Sequence, residues 1–239
     1  MVNDYYDAGA QRAAKVQHLF TQIASRYDLV NDLQSFGLHR CWKRRLIDLA
    51  RVKPGETALD LCCGTGDLAL LLARRGARVV GADFTASMLA VAQGRAGASA
   101  PSAVQFIQAD ALSLPWVDRS FDLVTVAYGL RNLADLKTGL SEMVRVARPG
   151  ARLLALDFGK PDNSFWRACY FAYLRMFVPV LGRVFCGSAS AYAYILESLI
   201  HYPAQQGVAA QMRDLGLVNV RIINLLGGVM SINYAERGA

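Results

Sequence analysis

The sequence lacks several features that mark particular classes of protein. No run reaches the roughly 18 uncharged apolar residues that a helix needs to cross a bilayer. The first ten residues are polar and acidic, unlike a secretory signal. Internal repeats and low-complexity tracts are missing, and 54% hydrophobic with 19% charged residues argues against disorder. We therefore expect a soluble protein whose 239 residues form a single domain.

Cysteine is scarce, and its pattern is irregular. The five cysteines are odd in number and have no C-x-x-C spacing; they are Cys41, Cys62, Cys63, Cys169 and Cys186. Disulfide frameworks and zinc sites need regular pairs, so we predict neither a disulfide nor a metal site. This usage is typical of a reducing, cytoplasmic compartment. Cys62 and Cys63 end an apolar run where small side chains suit a buried strand, so covalent catalysis is not predicted.

Basic charge is concentrated near the start of the chain. The net charge is +7, and residues 11–53 carry nine Lys or Arg against three Asp. Arg40, Lys43, Arg44 and Arg45 dominate that segment. Such a cluster favours contact with anionic lipid headgroups or nucleic acid, and a solvated helix face is the alternative. Base-flipping motifs of the Asn-Pro-Pro-Tyr type are absent, so no nucleic-acid partner is predicted.

Two helices are predicted before the first strand. Apolar residues at helical spacing predict one helix over residues 11–27, and residues 28–32 and Gly37 break the pattern. A second helix contains residues 42–49 and ends near Lys53. We interpret residues 11–53 as a helical lid laid over the ligand edge of a sheet.

From residue 57 the chain alternates strands with helices. Strands are predicted at 58–62, 78–83, 104–108, 123–127 and 152–157, and helices at 67–75, 86–94 and 136–147. Short apolar strands separated by helices predict a doubly wound, mostly parallel α/β sheet. We expect residues 57–160 to form a Rossmann-like cofactor-binding core.

The last third of the chain departs from this alternation. Residues 163–184 are apolar or aromatic on nearly every side, so a helix there is buried or touches something apolar. Pro179 and Gly182 are predicted to end it. We interpret residues 161–204 as an apolar substrate insertion. Residues 205–239 predict a helix at 205–215, then an antiparallel hairpin of strands 217–224 and 229–234 at the sheet edge.

A glycine turn follows the first strand. Gly64 and Gly66 allow a tight turn that a ligand can approach closely, and a helix begins at Asp67. In an open α/β sheet a nucleotide-like ligand binds at this place. The spacing of Gly64, Gly66 and Ala69 also satisfies the dinucleotide fingerprint, so NAD is an alternative. Asp83 ends the second strand, where a carboxylate can accept ribose hydroxyls of either ligand.

Segments after the later strands help to choose between NAD and other nucleotide-like ligands. Residues 110–115 (DALSLP), 120–124 (SFDLV) and 146–154 (VARPGARLL) follow in order. This series resembles the class I, seven-stranded S-adenosylmethionine-dependent methyltransferases. The resemblance implies S-adenosylmethionine as cofactor.

A narrower resemblance covers almost the whole chain. Residues 19–32 (LFTQIASRYDLVND), 35–40 (SFGLHR), 128–132 (YGLRN) and 157–161 (DFGKP) resemble signatures of the ubiquinone/menaquinone C-methyltransferase family. The sequence at residues 60–69, 89–93 and 110–115, together with Tyr128, is most similar to the phylloquinone-pathway branch of this family. Members of that branch methylate a prenylated naphthoquinol.

This resemblance implies roles for residues at the matching positions. Gly64, Thr65 and Gly66 would pack against the methionine part of the cofactor, and Asp83 would hold the ribose. The remaining cofactor-binding candidates are Asp60, Phe84, Met88, Asp110 with Ala111 at the adenine, and Ala127. Many relatives have Ser at the Ala127 position, so a contact there must come from backbone. Asp60 and Asp67 would favour the cationic groups of the cofactor, although Asp67 also suits a helix start.

Catalytic candidates follow from the implied substrate. A quinol places electron density on its vacant ring carbon, which can attack an S-methyl group. Arg131 and Asn132 are predicted to steer the quinol oxygens; the alternative for Arg131 is a structural pair with a carboxylate such as Asp28. Tyr27, Asp28, Asn31 and His39 lie in the N-terminal motif, where they would close over the cofactor and substrate as a lid. Asp28 and Asn31 are equally suited to be ordinary helix-end and turn residues, and His39 is a candidate base.

The predicted partner is a prenylated quinol. The aromatic stretch at residues 165–177 would hold its tail and open toward a bilayer, near Arg167, Arg175 and Arg183. A homodimer interface or plain core are the alternatives for this stretch. We expect a cytoplasmic protein peripheral to the membrane that holds the quinone pool. Competing functions are C-methylation of a prenylated benzoquinol or a soluble aromatic natural product, and a catalytically silent cofactor-binding protein.

Overall fold

A computed structural model describes residues 11–97, 103–186 and 189–238. The polar segment at residues 1–10 lies outside the described residues, as does residue 239. The described part contains a sheet of seven strands in the order β3-β2-β1-β4-β5-β7-β6. The strands are β1 (Thr57–Leu61), β2 (Arg78–Asp83), β3 (Val104–Gln108), β4 (Phe121–Ala127), β5 (Ala147–Phe158), β6 (Leu217–Leu225) and β7 (Met230–Arg237).

The sheet confirms the predicted α/β class. Strands β1 to β5 pair in parallel, while β7 pairs antiparallel with both β5 and β6. Leu59, Leu123 and Val124 are completely buried, as expected for parallel strands covered on both faces. The strand order reverses between β1 and β4, so a crevice opens at their carboxyl ends, where ligands bind in such sheets.

Helices cover the sheet and extend beyond it. Before β1 come α1 (Arg12–Ile23), α2 (Tyr27–Ser35) and α3 (Leu38–Ala50); within the core come α4 (Asp67–Arg74), α5 (Ala86–Gly97) and α6 (Leu136–Val146); then follow α7 (Ser164–Cys186), α8 (Ala189–His201) and α9 (Ala204–Asp214). α1 packs on α5, α2 on α7, and α3 on α4 and β5. No helix in these ranges combines the length and apolarity needed to cross a membrane.

The prediction that residues 28–32 break the helical pattern was wrong, because they lie inside α2. Asp28 occupies the first turn, where a carboxylate is favourable. Asn31 and Asp32 bind the side chains of Gln34 and Arg40 rather than competing with the backbone for hydrogen bonds. The break comes instead at Phe36 and Gly37, with left-handed φ values of 51° and 74°, which confirms the predicted break at Gly37.

The predicted end of the long aromatic helix at Pro179 and Gly182 was also wrong. α7 continues through Pro179 to Cys186. Proline removes one backbone hydrogen bond from a helix. α7 buries Tyr170, Leu174 and Val178 before the proline and packs against α8, so tertiary packing stabilises the helix despite the proline.

Candidate active site

Two cavities lie side by side at the carboxyl edge of the sheet. The turn cavity, with a volume of about 120 Å³, lies over the glycine turn after β1. The helix cavity, with a volume of about 340 Å³, is enclosed by residues of α1, α2, α3, α7 and α8. Phe20, Tyr27 and Tyr128 line both cavities and form the wall between them.

Most of the predicted cofactor residues meet at the turn cavity. Its lining includes Gly64, Asp83, Phe84, Met88, Asp110, Ala111 and Ala127, together with the catalytic candidates Tyr27 and Asn132. Gly64 has a positive φ of 54°, and a Cβ placed on it would meet no atom within 4 Å. The turn therefore leaves open space for a ligand beside its backbone.

Asp83 is held in place by the glycine turn. Its Oδ2 accepts the Gly64 N–H at 2.8 Å, and its Oδ1 accepts the Thr85 N–H at 2.8 Å. Burial raises the pKa of Asp83, against the opposing effect of these hydrogen bonds. The carboxylate keeps lone pairs toward the turn cavity because each oxygen can accept more than one hydrogen bond.

Asp60, Thr65 and Gly66 lie outside the lining of either cavity. Asp60 is buried and accepts the Thr125 hydroxyl at 3.0 Å through Oδ1, while its Oδ2 has no partner. Burial raises the pKa of Asp60 to about 7. Gly66 has a φ of 82°, and a Cβ there would approach the Phe106 ring to 2.8 Å. These residues support the turn from beneath rather than from its open side.

A network of charges joins the N-terminal helices to the glycine turn. Asp28 of α2 accepts the Thr65 hydroxyl at 2.8 Å and pairs with Arg95 at 3.1 Å. Arg95 also pairs with Asp67, and Lys43 reaches Asp67 at 2.7 Å. The expectation that Lys43 belongs to an exposed basic cluster was wrong, because its side chain is buried against Asp67.

The same network changes the interpretation of Asp67. Burial opposes its ionisation, but Lys43 and Arg95 together lower its pKa below the ordinary value. Its charge is therefore already balanced by two protein cations. Among the basic residues of α3, Arg44 and Arg45 stay exposed, and Arg40 pairs with Asp32 at 2.5 Å.

Arg131 is paired with a carboxylate, although not with Asp28. Nη1 of Arg131 lies 2.7 Å from Oδ1 of Asp157, and the guanidinium lies 4.4 Å from the centre of the Phe158 ring. Burial would lower the pKa of Arg131, but Asp157 holds it above the ordinary value. The Nε atom is buried without a partner, and the side chain lines the helix cavity. Arg131 therefore combines a structural ion pair with a free donor.

Tyr128 connects the neighbouring catalytic candidates. Its carbonyl accepts from Nη1 of Arg131 at 2.8 Å and from Nδ2 of Asn132 at 3.1 Å. Asn132 also accepts the Tyr194 hydroxyl at 3.1 Å. Across the wall, burial raises the pKa of Tyr27 to about 12, although Arg131 opposes the shift. Tyr27 is therefore a hydrogen-bond donor at neutral pH.

The helix cavity is mostly apolar but contains several unpartnered polar atoms. These buried atoms are Gln34 Oε1, His39 Nδ1, Tyr128 Oη, Arg131 Nε and Tyr170 Oη. Buried polar atoms usually have partners, so a cluster of free ones indicates a ligand site. Mostly apolar walls with a few polar atoms suit a greasy molecule that carries a small number of oxygens.

Cys62 and Cys63, beside the glycine turn, are poorly suited to act as nucleophiles. Burial raises the pKa of Cys62 and Cys63 well above the ordinary value, so neither is a thiolate at neutral pH. Cys62 lines the turn cavity, and its φ of 54° lies in the left-handed region, where non-glycine residues are strained. This arrangement agrees with the prediction that covalent catalysis is not used.

Some functional positions were not singled out by the sequence reasoning. Tyr128 and Asp157 begin the motifs at residues 128–132 and 157–161, but neither was given a role. Their positions in these motifs are the signal that could have identified them. Asp32 likewise ends the motif at residues 19–32 and was given no role. Tyr194, in α8, had no local signal, because its contact to Asn132 spans 62 residues.

Comparison with known proteins identifies the family. The ubiE/COQ5 methyltransferase family matches residues 8–237. The chain is 41% identical over 229 residues to a demethylmenaquinone methyltransferase of Desulfitobacterium hafniense, covering 94% of this chain and 90% of that protein. It is 41% identical over 232 residues to the ubiquinone/menaquinone biosynthesis C-methyltransferase UbiE of Ectopseudomonas mendocina, covering 94% and 89%.

A solved structure agrees on the fold. A SAM-dependent methyltransferase from Thermotoga maritima, described as a possible histamine N-methyltransferase, superimposes with a TM-score of 0.67 at 15% identity. The match covers 92% of this chain and 99% of that one. With the family match over nearly the whole sequence, the chain belongs to the ubiE/COQ5 methyltransferase family and is an S-adenosylmethionine-dependent C-methyltransferase.

Proposed function

We propose that this protein methylates the vacant ring carbon of a prenylated naphthoquinol, in the formation of phylloquinone or menaquinone. The observation that carries the proposal is the contact between the two cavities across Tyr27 and Tyr128. A cofactor over the glycine turn and a greasy aromatic in the helix cavity would meet at that wall. The demethylmenaquinone methyltransferase name of one relative supports this substrate class.

The residues of the turn cavity fit S-adenosylmethionine. The cofactor supplies an electrophilic methyl group when bound. Gly64 leaves room for it, Asp83 would accept the ribose hydroxyls, and Asp110 with Ala111 would contact the adenine. The unpartnered Oδ2 of Asp60 lies beneath the turn and would favour positive charge above it.

The free polar atoms of the helix cavity would orient the quinol head. Tyr128 Oη, Tyr170 Oη and Arg131 Nε are within the cavity lining and lack partners. They would hydrogen-bond the two ring oxygens and hold the vacant carbon toward the shared wall. Asn132 would fix that wall through the Tyr128 carbonyl. Apolar walls exclude water, which protects the methyl group from hydrolysis.

The tail of the substrate would follow α7. Tyr173, Leu174 and Val178 line the helix cavity, and Trp166 and Leu226 stand at its outer end. Burying hydrocarbon contributes roughly 0.8 kcal/mol per CH₂, so a long tail would add considerably to affinity. A soluble aromatic without a tail would leave this surface unused.

A prenylated benzoquinol is the second candidate. The observation favouring it is the printed name of the Ectopseudomonas relative, which covers both ubiquinone and menaquinone biosynthesis. A labelled-cofactor assay with reduced naphthoquinols and benzoquinols carrying identical tails tests the choice. We expect the naphthoquinols to have the higher kcat/KM. Equal or better turnover of benzoquinols would contradict the naphthoquinol assignment.

Two substitutions on one helix test where the tail binds. Val178 lines the helix cavity and is 1% exposed, while Val180 lies nearby and is 59% exposed. With quinols supplied in detergent and no membrane present, we expect Val178→Phe to raise KM for long-tailed quinols more than for short-tailed ones, and Val180→Phe to change neither. The same tail-length dependence in both variants would contradict the proposed tail path.

We further propose that the mouth of the helix cavity contacts an anionic membrane. Phe165, Cys169, Met176 and Val180 recur at helical spacing and form an exposed stripe on α7. Phe36 is 81% exposed beside that mouth. Exposed Arg44, Arg45, Arg175 and Arg183 would face lipid headgroups.

Vesicle flotation tests the membrane contact with a matched pair of variants. Phe36 has a left-handed φ of 51°, which asparagine tolerates, so Phe36→Asn should fold normally. We expect it to reduce binding to anionic vesicles at low salt, while Val117→Asn, at a position 79% exposed and away from both cavities, leaves binding unchanged. Absence of wild-type binding, or a dimer that buries α7 in sedimentation, would contradict the proposal.

A further inference from the structure

We infer that His39 is the general base of this reaction and that Asp32 is the residue that positions it, an assignment that rests on the proposed function. The base would take the proton of the quinol hydroxyl next to the vacant ring carbon. His39 is placed for this task by α3, and Asp32 by α2, so both belong to the helices that cover the substrate.

The geometry of His39 differs from that of a structural histidine. Its side chain is 4% exposed, and its Nε2 lies 2.8 Å from Oδ1 of Asp32. Its Nδ1 is buried and has no hydrogen-bond partner, and the ring lines the helix cavity. A histidine buried only for packing normally satisfies both nitrogens, because a buried polar atom without a partner costs free energy.

The contact with Asp32 assigns the tautomer. An ionised carboxylate only accepts hydrogen bonds, so Nε2 carries the proton and Nδ1 carries the lone pair. Asp32 also accepts from Nε of Arg40 at 2.8 Å and from Nη2 of Arg40 at 2.5 Å. Chiefly through Arg40, the pKa of Asp32 falls to about 2, so the carboxylate is ionised at neutral pH. A carboxylate that orients an imidazole in this way is a known arrangement for proton abstraction.

Burial is the main factor that keeps the imidazole of His39 neutral. Burial lowers the pKa of His39, and Lys43 lowers it further, while Asp32 and Asp67 oppose the shift. The other titratable groups that line the helix cavity are Tyr27, Tyr128, Tyr170, Tyr173, Tyr194, Arg131 and the free thiol of Cys169. Because burial raises the pKa of Tyr27, Tyr128 and Tyr170, these three do not compete as bases at neutral pH.

The proton balance of the step is simple. The quinol hydroxyl gives its proton to Nδ1 of His39, and electron density moves to the neighbouring ring carbon. That carbon would form a bond to the methyl group that a bound cofactor supplies, and the electron pair of the broken methyl–sulfur bond would stay on sulfur. The hydrogen on the same carbon would then leave as a proton to solvent when the site reopens, which restores the aromatic ring. His39 returns its proton to the oxygen, so one methyl is transferred and one proton released.

The pH dependence of kcat tests the assignment. We expect wild-type kcat to fall at acid pH as His39 becomes protonated. His39→Gln should lower kcat by about 10²–10⁴-fold with little change in KM and should lose this acid limb. Asp32→Asn removes a group that raises the His39 pKa, so the limb should move to lower pH. His18→Gln, at an exposed histidine of α1, should leave the profile unchanged.

Two further readouts separate a base from a structural residue. Added imidazole should restore turnover to His39→Ala. Quinols with more acidic hydroxyls need less help from a base, so His39→Gln should slow their methylation less than it slows that of the ordinary quinol, with similar Kd for quinol in both proteins. An equal slowing for all quinols, or an unchanged acid limb in His39→Gln, overturns the assignment of His39 alone. A folded wild type that binds S-adenosylhomocysteine but methylates no reduced quinol overturns the proposed function as well.

Discussion

Arg131 and Asp157 form a buried ion pair, with Nη1 2.7 Å from Oδ1 and neither side chain more than 6% exposed. Asp157 also accepts the backbone N–H groups of Arg131 and Phe158 at 3.2 and 2.8 Å. The carboxylate thus fixes the turn after β4 and compensates the guanidinium charge. Arg131 would act on a quinol through its free Nε donor rather than through an uncompensated charge.

Breaking this pair should cost stability as well as activity. Arg131→Met leaves Asp157 as a buried, unpaired carboxylate, so we expect the free energy of unfolding to fall by about 3–5 kcal/mol. Arg131→Met combined with Asp157→Leu should recover much of that loss. Urea denaturation measures both effects.

The exposed pair Arg75–Asp48, at 3.0 Å, serves as the control. Arg75→Met should change the unfolding free energy by no more than about 1 kcal/mol, because solvent screens exposed ion pairs. If Arg131→Met loses no more unfolding free energy than Arg75→Met, the ion pair between Arg131 and Asp157 does not stabilise the fold.

Asp83→Ala should weaken cofactor binding. The substitution removes the proposed ribose acceptor and also the carboxylate that holds the Gly64 N–H. Hydrogen bonds to charged groups contribute about 1.5–3 kcal/mol, so Kd should rise roughly 10- to 100-fold. Calorimetry with S-adenosylmethionine measures this, and Asp118→Ala, at an exposed carboxylate away from both cavities, is the control. Equal affinity in Asp83→Ala and the wild type would remove Asp83 from the cofactor site.

Asp28→Ala should loosen the cover over the cofactor. Asp28 joins α2 to the glycine turn through Thr65 and to α5 through Arg95. We expect faster dissociation of S-adenosylhomocysteine in stopped-flow measurements and faster amide exchange in α1 and α2. Asp48→Ala, on the exposed side of α3, should change neither rate. Unchanged dissociation in Asp28→Ala would mean that these helices do not act as a lid.

Ionisation of Asp60 should lower the stability of the folded protein while favouring binding of the cationic cofactor. Burial raises its pKa from 3.8 to about 7, so ionisation is disfavoured in the folded protein. Its contribution to stability is present at acid pH and is lost as pH rises from about 4 to about 7. Asp60→Asn should therefore gain stability relative to the cofactor-free wild type at pH 8 more than at pH 5, while binding the cationic cofactor less tightly. The same stability difference at both pH values would contradict the raised pKa.

Local sequence patterns predicted the sheet well. Runs such as β1 and β4 are buried on both faces, so their apolar composition identifies them directly. Gly64, Gly66 and Asp83 could also be placed, because a glycine turn at the end of a strand has few other geometries available. The hairpin of β6 and β7 was likewise confirmed.

Contacts between segments that are distant in the sequence could not be predicted from local patterns. The helix cavity depends on α2 lying against α7, where the Tyr173 hydroxyl donates to the Gln34 carbonyl across 139 residues. Nothing near Pro179 indicates that packing carries α7 past it. The carboxylate partner of Arg131 could not be identified for the same reason: Asp28 and Asp157 are both acidic, and only the fold brings Asp157 within 2.7 Å.

In the proposed reaction, the shared wall of Tyr27 and Tyr128 brings the cofactor methyl group to a ring carbon of a prenylated quinol. An anaerobic incubation with methyl-labelled S-adenosylmethionine and a reduced 2-prenyl-naphthoquinol, followed by NMR of the product, tests this arrangement. We expect label on the vacant ring carbon, dependence on the reduced form, and poor turnover of the tail-less quinol. Label on oxygen, or equally fast turnover without a tail, would contradict it.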